Sequence, residues 1–146
     1  MSNEMSAAIL RQVLGQVKAN GGEFTAEHGE ILVSVYSNDV ELSLLQSASE
    51  LVEKRRITRV EATPSGRAFY RVASHHAGAN GGPSFYICFA HYCSCSGFVE
   101  TTVLSKTSMC KHILGALLAD ATGKSIVETI PDDHYADLLC PNVAKA

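Results

Sequence analysis

His91-Tyr92-Cys93-Ser94-Cys95-Ser96-Gly97-Phe98 and, further on, Met109-Cys110-Lys111-His112-Ile113-Leu114 are the two stretches around which the chain is organised. They contain three of the five cysteines, Cys93, Cys95 and Cys110, and His112, in the order Cys-x-Cys, fourteen residues, Cys-x-His. Three thiolates and one imidazole make a closed tetrahedral set of borderline-soft ligands, the donor set of a structural zinc ion. The spacing suits that role. Residues two apart on an extended chain point to the same side, so Cys93 and Cys95 can face one ion together. Cys110 and His112 open an apolar helical run through Ile113, Leu114, Leu117 and Leu118, with Thr107 or Ser108 available as its cap. A thiolate in the first turn of a helix is favoured by the macrodipole. The competing interpretation is a set of buried free cysteines, against which the complete four-ligand spacing weighs.

The 146 residues suit one domain with a real core, and 46% hydrophobic against 18% charged residues is a globular balance. No secretory leader pattern is visible, and no apolar run reaches the roughly 20 residues that cross a bilayer. An odd cysteine count, with metal-type ligands clustered, favours a reducing compartment with free thiols at Cys88 and Cys140 over a disulfide framework. The net charge of −3 is unevenly spread. Residues 1–50 carry net −5, residues 51–120 net +4 and residues 121–146 net −2. A cationic centre between acidic ends allows a local phosphate-binding face, whereas a dedicated DNA binder is usually basic throughout. Three thiolates and Zn²⁺ sum to about −1, so the metal itself does not attract phosphate.

Outward from the cysteines, residues 6–19 read as a helix with Ile9, Leu10, Val13, Leu14 and Val17 on one face, stopped by Asn20-Gly21-Gly22. Phe24, His28, Ile31, Leu32, Val35 and Tyr36 fall at helical spacing, although Ile31 to Val35 is β-branched enough to keep a strand open. His28 reads as a packed or half-exposed side chain and not as a ligand. Asn38 caps a third helix with Glu41 three residues on, and Leu44, Leu45, Ala48, Leu51 and Val52 form its apolar face. Lys54, Arg55 and Arg56 then sit where a helix C-terminus favours positive charge.

From Ile57 the period becomes two. Ile57–Thr63 and Arg67–Ala73 flank a Pro64-Ser65-Gly66 turn, and Ser84–Ala90 forms a third strand that delivers the chain to Cys93. The glycine-rich 74–83 segment reads as a loop, with His75 and His76 solvated. Phe98, Val99, Val103 and Leu104 are placed to pack over the metal. The expected fold is therefore α+β: N-terminal helices (1–56), a small antiparallel three-stranded sheet with the zinc finger leading into a helix (57–123), and a C-terminal tail (124–146). The helices and the sheet are expected to form one folded unit. In the tail, Pro131-Asp132-Asp133 can start one short helix through Leu139.

The four ligand positions resemble the SWIM-type zinc finger, whose pattern is Cys-x-Cys, a variable spacer, and Cys-x-His leading into a helix. The resemblance extends to the Thr63-Pro64-Ser65-Gly66-Arg67 turn and covers roughly residues 27–120. In that order and spacing these segments are similar to the small SWIM-domain subunit of Shu-type homologous-recombination complexes. The 74–83 loop and both chain ends depart from that pattern. The resemblance implies a nuclear, non-catalytic recombination mediator holding one structural Zn²⁺. It implies a partner related to the recombinase ATPases, with the pair promoting recombinase filaments on single-stranded DNA. No membrane and no small-molecule substrate are implied.

The residues leave three roles to weigh. One is an interaction module that depends on a folded partner. Another is a stand-alone DNA-binding finger using Arg55, Arg56, Arg59, Arg67 and Arg71, with Phe69 stacking on bases. The last is a thiol enzyme or redox sensor using Cys88 or Cys140. No Walker-type glycine loop is present, and a closed four-ligand shell leaves no open metal position, so no enzyme activity is expected.

Overall fold

In the computed structural model, residues 3–74, 84–95, 98 and 109–139 are described. His75, His76, Val99, Val103, Leu104, Thr107, Ser108 and Cys140 lie outside them, as do residues 75–83, so the expectations placed on those residues are not addressed. The described elements run α1 (Asn3–Ala19), α2 (Ala26–Val35), α3 (Asp39–Glu53), β1 (Ile57–Thr63), β2 (Ala68–Ala73), β3 (Phe85–Phe89), β4 (Tyr92–Cys93), α4 (Lys111–Thr122), β5 (Ile126–Pro131) and α5 (Asp132–Leu139).

The three N-terminal helices form where the periodicity places them, and local capping fixes the starts of α2 and α3. Thr25 Oγ1 accepts the His28 N–H while His28 Nδ1 accepts the Thr25 N–H, a reciprocal cap that accounts for the half-buried histidine. Helix therefore prevails over strand for Ile31 to Val35. Asn38 Oδ1 accepts the Glu41 N–H at 2.8 Å and starts α3. Helix α3 closes with the Arg55 N–H on Val52 O and the Arg56 N–H on Leu51 O. Arg55 takes the left-handed position of that turn, φ 57°, where glycine is usual.

The sheet is larger than the expected three antiparallel strands. It has five strands in the order β4-β3-β2-β1-β5, and β5 runs parallel to β1 while every other pairing is antiparallel. The added strands are β4, which carries Cys93, and β5, which lies in the stretch read as a tail. Strand β5 pairs from Thr58↔Ile126 through Thr63↔Pro131. Parallel pairing needs a crossover, and α4 provides it.

Helix α4 is the centre of the main core. Eight of its residues are buried, including Ile113, Leu114, Leu118 and Ala119, because the sheet lies on one side and α1 and α3 on the other. Each fully buried aliphatic side chain here stabilises the fold by roughly 1.5–3 kcal/mol. Gly115 permits the close approach: a Cβ there would meet Ile57 Cδ1 at 3.0 Å and Ala48 O at 3.4 Å. Alternation along the strands sends Ile57, Val72 and Cys88 into this core. Val60, Ala62 and Phe69 go to the opposite face, where Ile130 and Tyr135 cover them. Helix α5 closes that second face, and Asp132 at its start accepts the Ser65 N–H at 3.1 Å and the Ser65 hydroxyl at 2.6 Å.

Candidate metal centre

Two local structures carry the four predicted ligands to one point. Cys93 ends the short strand β4, opposite Cys88 in register, and the sulfur of Cys95, two residues later, converges on the same point. Cys110 is the N-cap of α4, in extended conformation, and His112 lies in the helix's first turn. The helix thus begins at Lys111, one residue after the Cys110 expected to open it, and Met109 is buried just ahead of it. The sulfurs of Cys93, Cys95 and Cys110 and a ring nitrogen of His112 all lie within 4.8 Å of one another, and all four residues are buried. A tetrahedral zinc with sulfur bonds of about 2.3 Å needs ligand separations of about 3.8 Å. Small side-chain adjustments reach that geometry. His112 Nδ1 already stands 3.7 Å from Cys93 Sγ.

The electrostatics of the site call for a cation. Cys110 is pushed up to about 12, first by its hydrogen bond with Cys93 and then by burial. Cys93 also moves up: its hydrogen bond with Cys110 favours the thiolate, but the Cys88 contact and burial together outweigh it. Cys95 is raised by burial and then by the charge of Cys110. Three sulfurs in one apolar pocket cannot ionise together without a compensating positive charge. The backbone does favour the ionised form: the N–H groups of Cys95, Phe98 and Ile113 each lower the pKa of the sulfur they face, on Cys93, Cys95 and Cys110 respectively. His112, 7% exposed, is the buried polar side chain among the described residues, and its ring packs on Tyr86 with centroids 4.4 Å apart. Phe98 lies against the core with its ring 5.7 Å from Tyr92, the part of the expected lid that is described. The donor set, its burial and its amide environment fit one zinc ion.

Cys88 is wholly buried, and its Sγ lies 3.2 Å from Cys93 Sγ. Its sequence context marks it as a small buried hydrophobe. The cross-strand pairing that brings it beside a ligand depends on β4, a strand too short for alternation to reveal.

The five arginines considered for DNA do not share one face. Arg59 is paired across the sheet with Tyr70, whereas Arg71 is paired with Thr58, which puts the two on opposite faces. Arg59 is held by Glu61 at 2.6 Å, Tyr70 Oη at 2.7 Å and Asp120 at 3.4 Å. Its pKa rises, chiefly through the Glu61 hydrogen bond, while the charge on Asp120 helps to raise that of Tyr70 after burial. Arg71 is paired with Glu128 and lies over the Phe85 ring. Arg67 stacks on Tyr135, 4.6 Å from the ring centroid. Arg55 is exposed, and Arg56 is half-buried beside it. Phe69 is 1% exposed, with its ring against Tyr135 and Phe89, so it is not available to stack on a base.

A hairpin strand that presents Cys-x-Cys toward a helix headed by Cys-x-His, all four side chains buried and convergent, is the arrangement of a Cys3His zinc-finger site. Comparison with known proteins agrees. The chain is 34% identical over 95 residues to zinc finger SWIM domain-containing protein 7 of Danio rerio, covering 63% of each chain. It is 34% identical over 89 residues to the zinc finger SWIM domain-containing protein 7 homolog of Dictyostelium discoideum, covering 59% of this chain and 53% of that one. Over this span the chain is similar to zinc finger SWIM domain-containing protein 7, and it spans less than two thirds of the length of either relative. No family model matches the chain, and no solved structure matches it.

Proposed function

We propose that this protein is a non-catalytic subunit of a homologous-recombination DNA-repair complex, folded around one structural zinc ion. It acts in the nucleus with a partner related to the recombinase ATPases, and together they promote assembly or persistence of recombinase filaments on single-stranded DNA. The observation that carries this reading is the ordered set of segments: the Thr63–Arg67 turn, Cys-x-Cys and Cys-x-His, in a chain similar to zinc finger SWIM domain-containing protein 7. Its closed donor set supports a structural and not a catalytic metal, since four protein ligands fill a tetrahedral shell. Helices α2 and α3 leave Val33 and Val40 exposed, apolar surface of the kind a partner covers. Among the described residues no helix is long and apolar enough to cross a membrane.

The alternative, a stand-alone DNA-binding finger, is not favoured. Two of its five arginines are paired with carboxylates on opposite faces of the sheet, and its stacking residue is buried. The discriminating experiment purifies the tagged protein from its own cells, identifies what accompanies it, and titrates single-stranded DNA at several salt concentrations with and without that partner. A recombinase-related ATPase should co-purify, and tight DNA binding should require it. Tight binding by the isolated chain with a steep salt slope, lost on replacing Arg55, Arg56, Arg67 and Arg71, would make the stand-alone reading the better one.

A further inference from the structure

Lys111, the residue between two zinc ligands, belongs to a second feature. Together with Lys54 and Arg56 it lines a small cleft of about 60 Å³, completed by Ser47, Glu50 and Leu51. Three cations face one carboxylate there, and Glu50 is already paired with Lys54 at 2.7 Å. Arg56 supplies the most informative detail. Its Nη1 donates to Ala73 O at 3.4 Å, but its Nε is buried with no hydrogen-bond partner. A guanidinium N–H withdrawn from water without an acceptor is unfavourable, and a shift of the Arg56 head toward an anion in the cleft would relieve it. The backbone reinforces the point. Arg55 holds a left-handed conformation that costs a side-chain-bearing residue free energy, and that turn joins Lys54 at the end of α3 to Arg56 just ahead of β1. Three cations line one cleft, one of them carrying an unpartnered donor, beside a strained turn.

We propose that this cleft binds the terminal phosphate of a nucleic-acid strand. The lining charges leave a net of +2, which matches a phosphomonoester dianion better than the single charge of an internal phosphodiester. The volume suits one tetrahedral oxyanion, and an internal phosphodiester would also need exits for two ester carbons. Arginine and lysine together suit such a group, the guanidinium as a planar donor and the ammonium groups as point charges. A phosphorylated peptide is the less fitting ligand. Leu51 is the apolar member of the lining and is only 6% exposed, so nothing in the cleft grips a flanking side chain. The choice of a nucleic-acid strand rests on the function proposed above, whereas the oxyanion site itself rests on the cleft.

The test uses the full-length, zinc-loaded protein with its co-purified partner and single strands that end in 5′-hydroxyl, 5′-phosphate or 3′-phosphate. One phosphate-ended strand should bind about tenfold tighter than the hydroxyl-ended one, the worth of a single charged hydrogen bond. Arg56→Gln should bring them within about twofold at unchanged zinc content, and Lys54→Gln with Lys111→Gln, both at exposed side chains, should do so without disturbing the fold. Equal binding of all three strands by the unaltered complex would overturn the assignment. So would equal competition by a phosphoserine peptide. If the complex bound no single strand at all, the proposed function would fail, and calorimetric titration of the chain with inorganic phosphate would then test the cleft alone. Heat lost in the double lysine variant supports an oxyanion site, and absence of heat in the unaltered chain overturns it.

Discussion

Phe69→Ala separates two accounts of the sheet's outer face. If that face were an open DNA platform, Phe69 would be solvent-exposed, and its truncation would change stability by well under about 1 kcal/mol while weakening DNA binding. The structure places Phe69 at 1% exposure, between Val60 and Ala62 on β1 and the C-terminal pair Ile130 and Tyr135. Its ring meets Tyr135 edge-on with centroids 5.5 Å apart. A buried Phe→Ala change costs about 3–5 kcal/mol, of which the aromatic pair contributes about 0.5–1.5. With a urea slope of about 2 kcal/mol/M, the midpoint should fall by about 2 M. Urea unfolding followed by circular dichroism measures this, with zinc content checked in the folded baseline. Tyr135→Leu on its own and in the double variant should show coupling with Phe69 of about 0.5–1.5 kcal/mol. A midpoint shift below about 0.5 M, or no coupling, would refute the packing of α5 on the sheet.

Three further expectations concern single side chains and the thiols. Cys88→Ala should keep one zinc per chain and lose about 1–2 kcal/mol, because Cys88 touches a ligand but lies outside the closed set; metal analysis with thermal melts checks both. Arg55→Gly should raise stability by about 0.5–1 kcal/mol, since φ 57° costs glycine nothing, and denaturant midpoints report it. The metal-free protein should weaken in alkali. A Cys110 thiol raised from 9.0 to about 12 in the fold contributes stability that is present below about pH 9 and lost as pH rises through 12. With zinc bound the sulfurs are already ionised, so melts of the loaded protein should be flat across that window and should instead lose metal on acidification.

What the sequence discloses follows the range of the interactions involved. The ligand set is legible because four soft donors at short, regular spacing rarely fall together by chance, and the N-terminal helices because period and caps are local. The fifth strand is not legible. Four of the first five residues of β5 are exposed, so no alternation marks it, and its pairing with β1 links residues more than sixty apart in sequence. The same distance hides the charge pairing. Counting charges by segment gives a cationic centre, yet Arg59 is met by Asp120 and Arg71 by Glu128, both brought in by α4 and β5. Phe69 is open to misreading for a related reason: alternation assigns it to the outer face, and only α5 shows that this face is covered. The cationic cleft depends on a turn in which an arginine takes a glycine's conformation, which sequence rules do not anticipate.

The central claim is that Cys93, Cys95, Cys110 and His112 hold one structural zinc ion that ties the β-hairpin to α4. Metal analysis of the purified chain and of each single alanine variant tests it most directly. One zinc per chain is expected in the unaltered protein, and Cys93→Ala, Cys95→Ala, Cys110→Ala and His112→Ala should each lose it together with the folding of the segment around α4. Full zinc retention in Cys110→Ala would contradict the account.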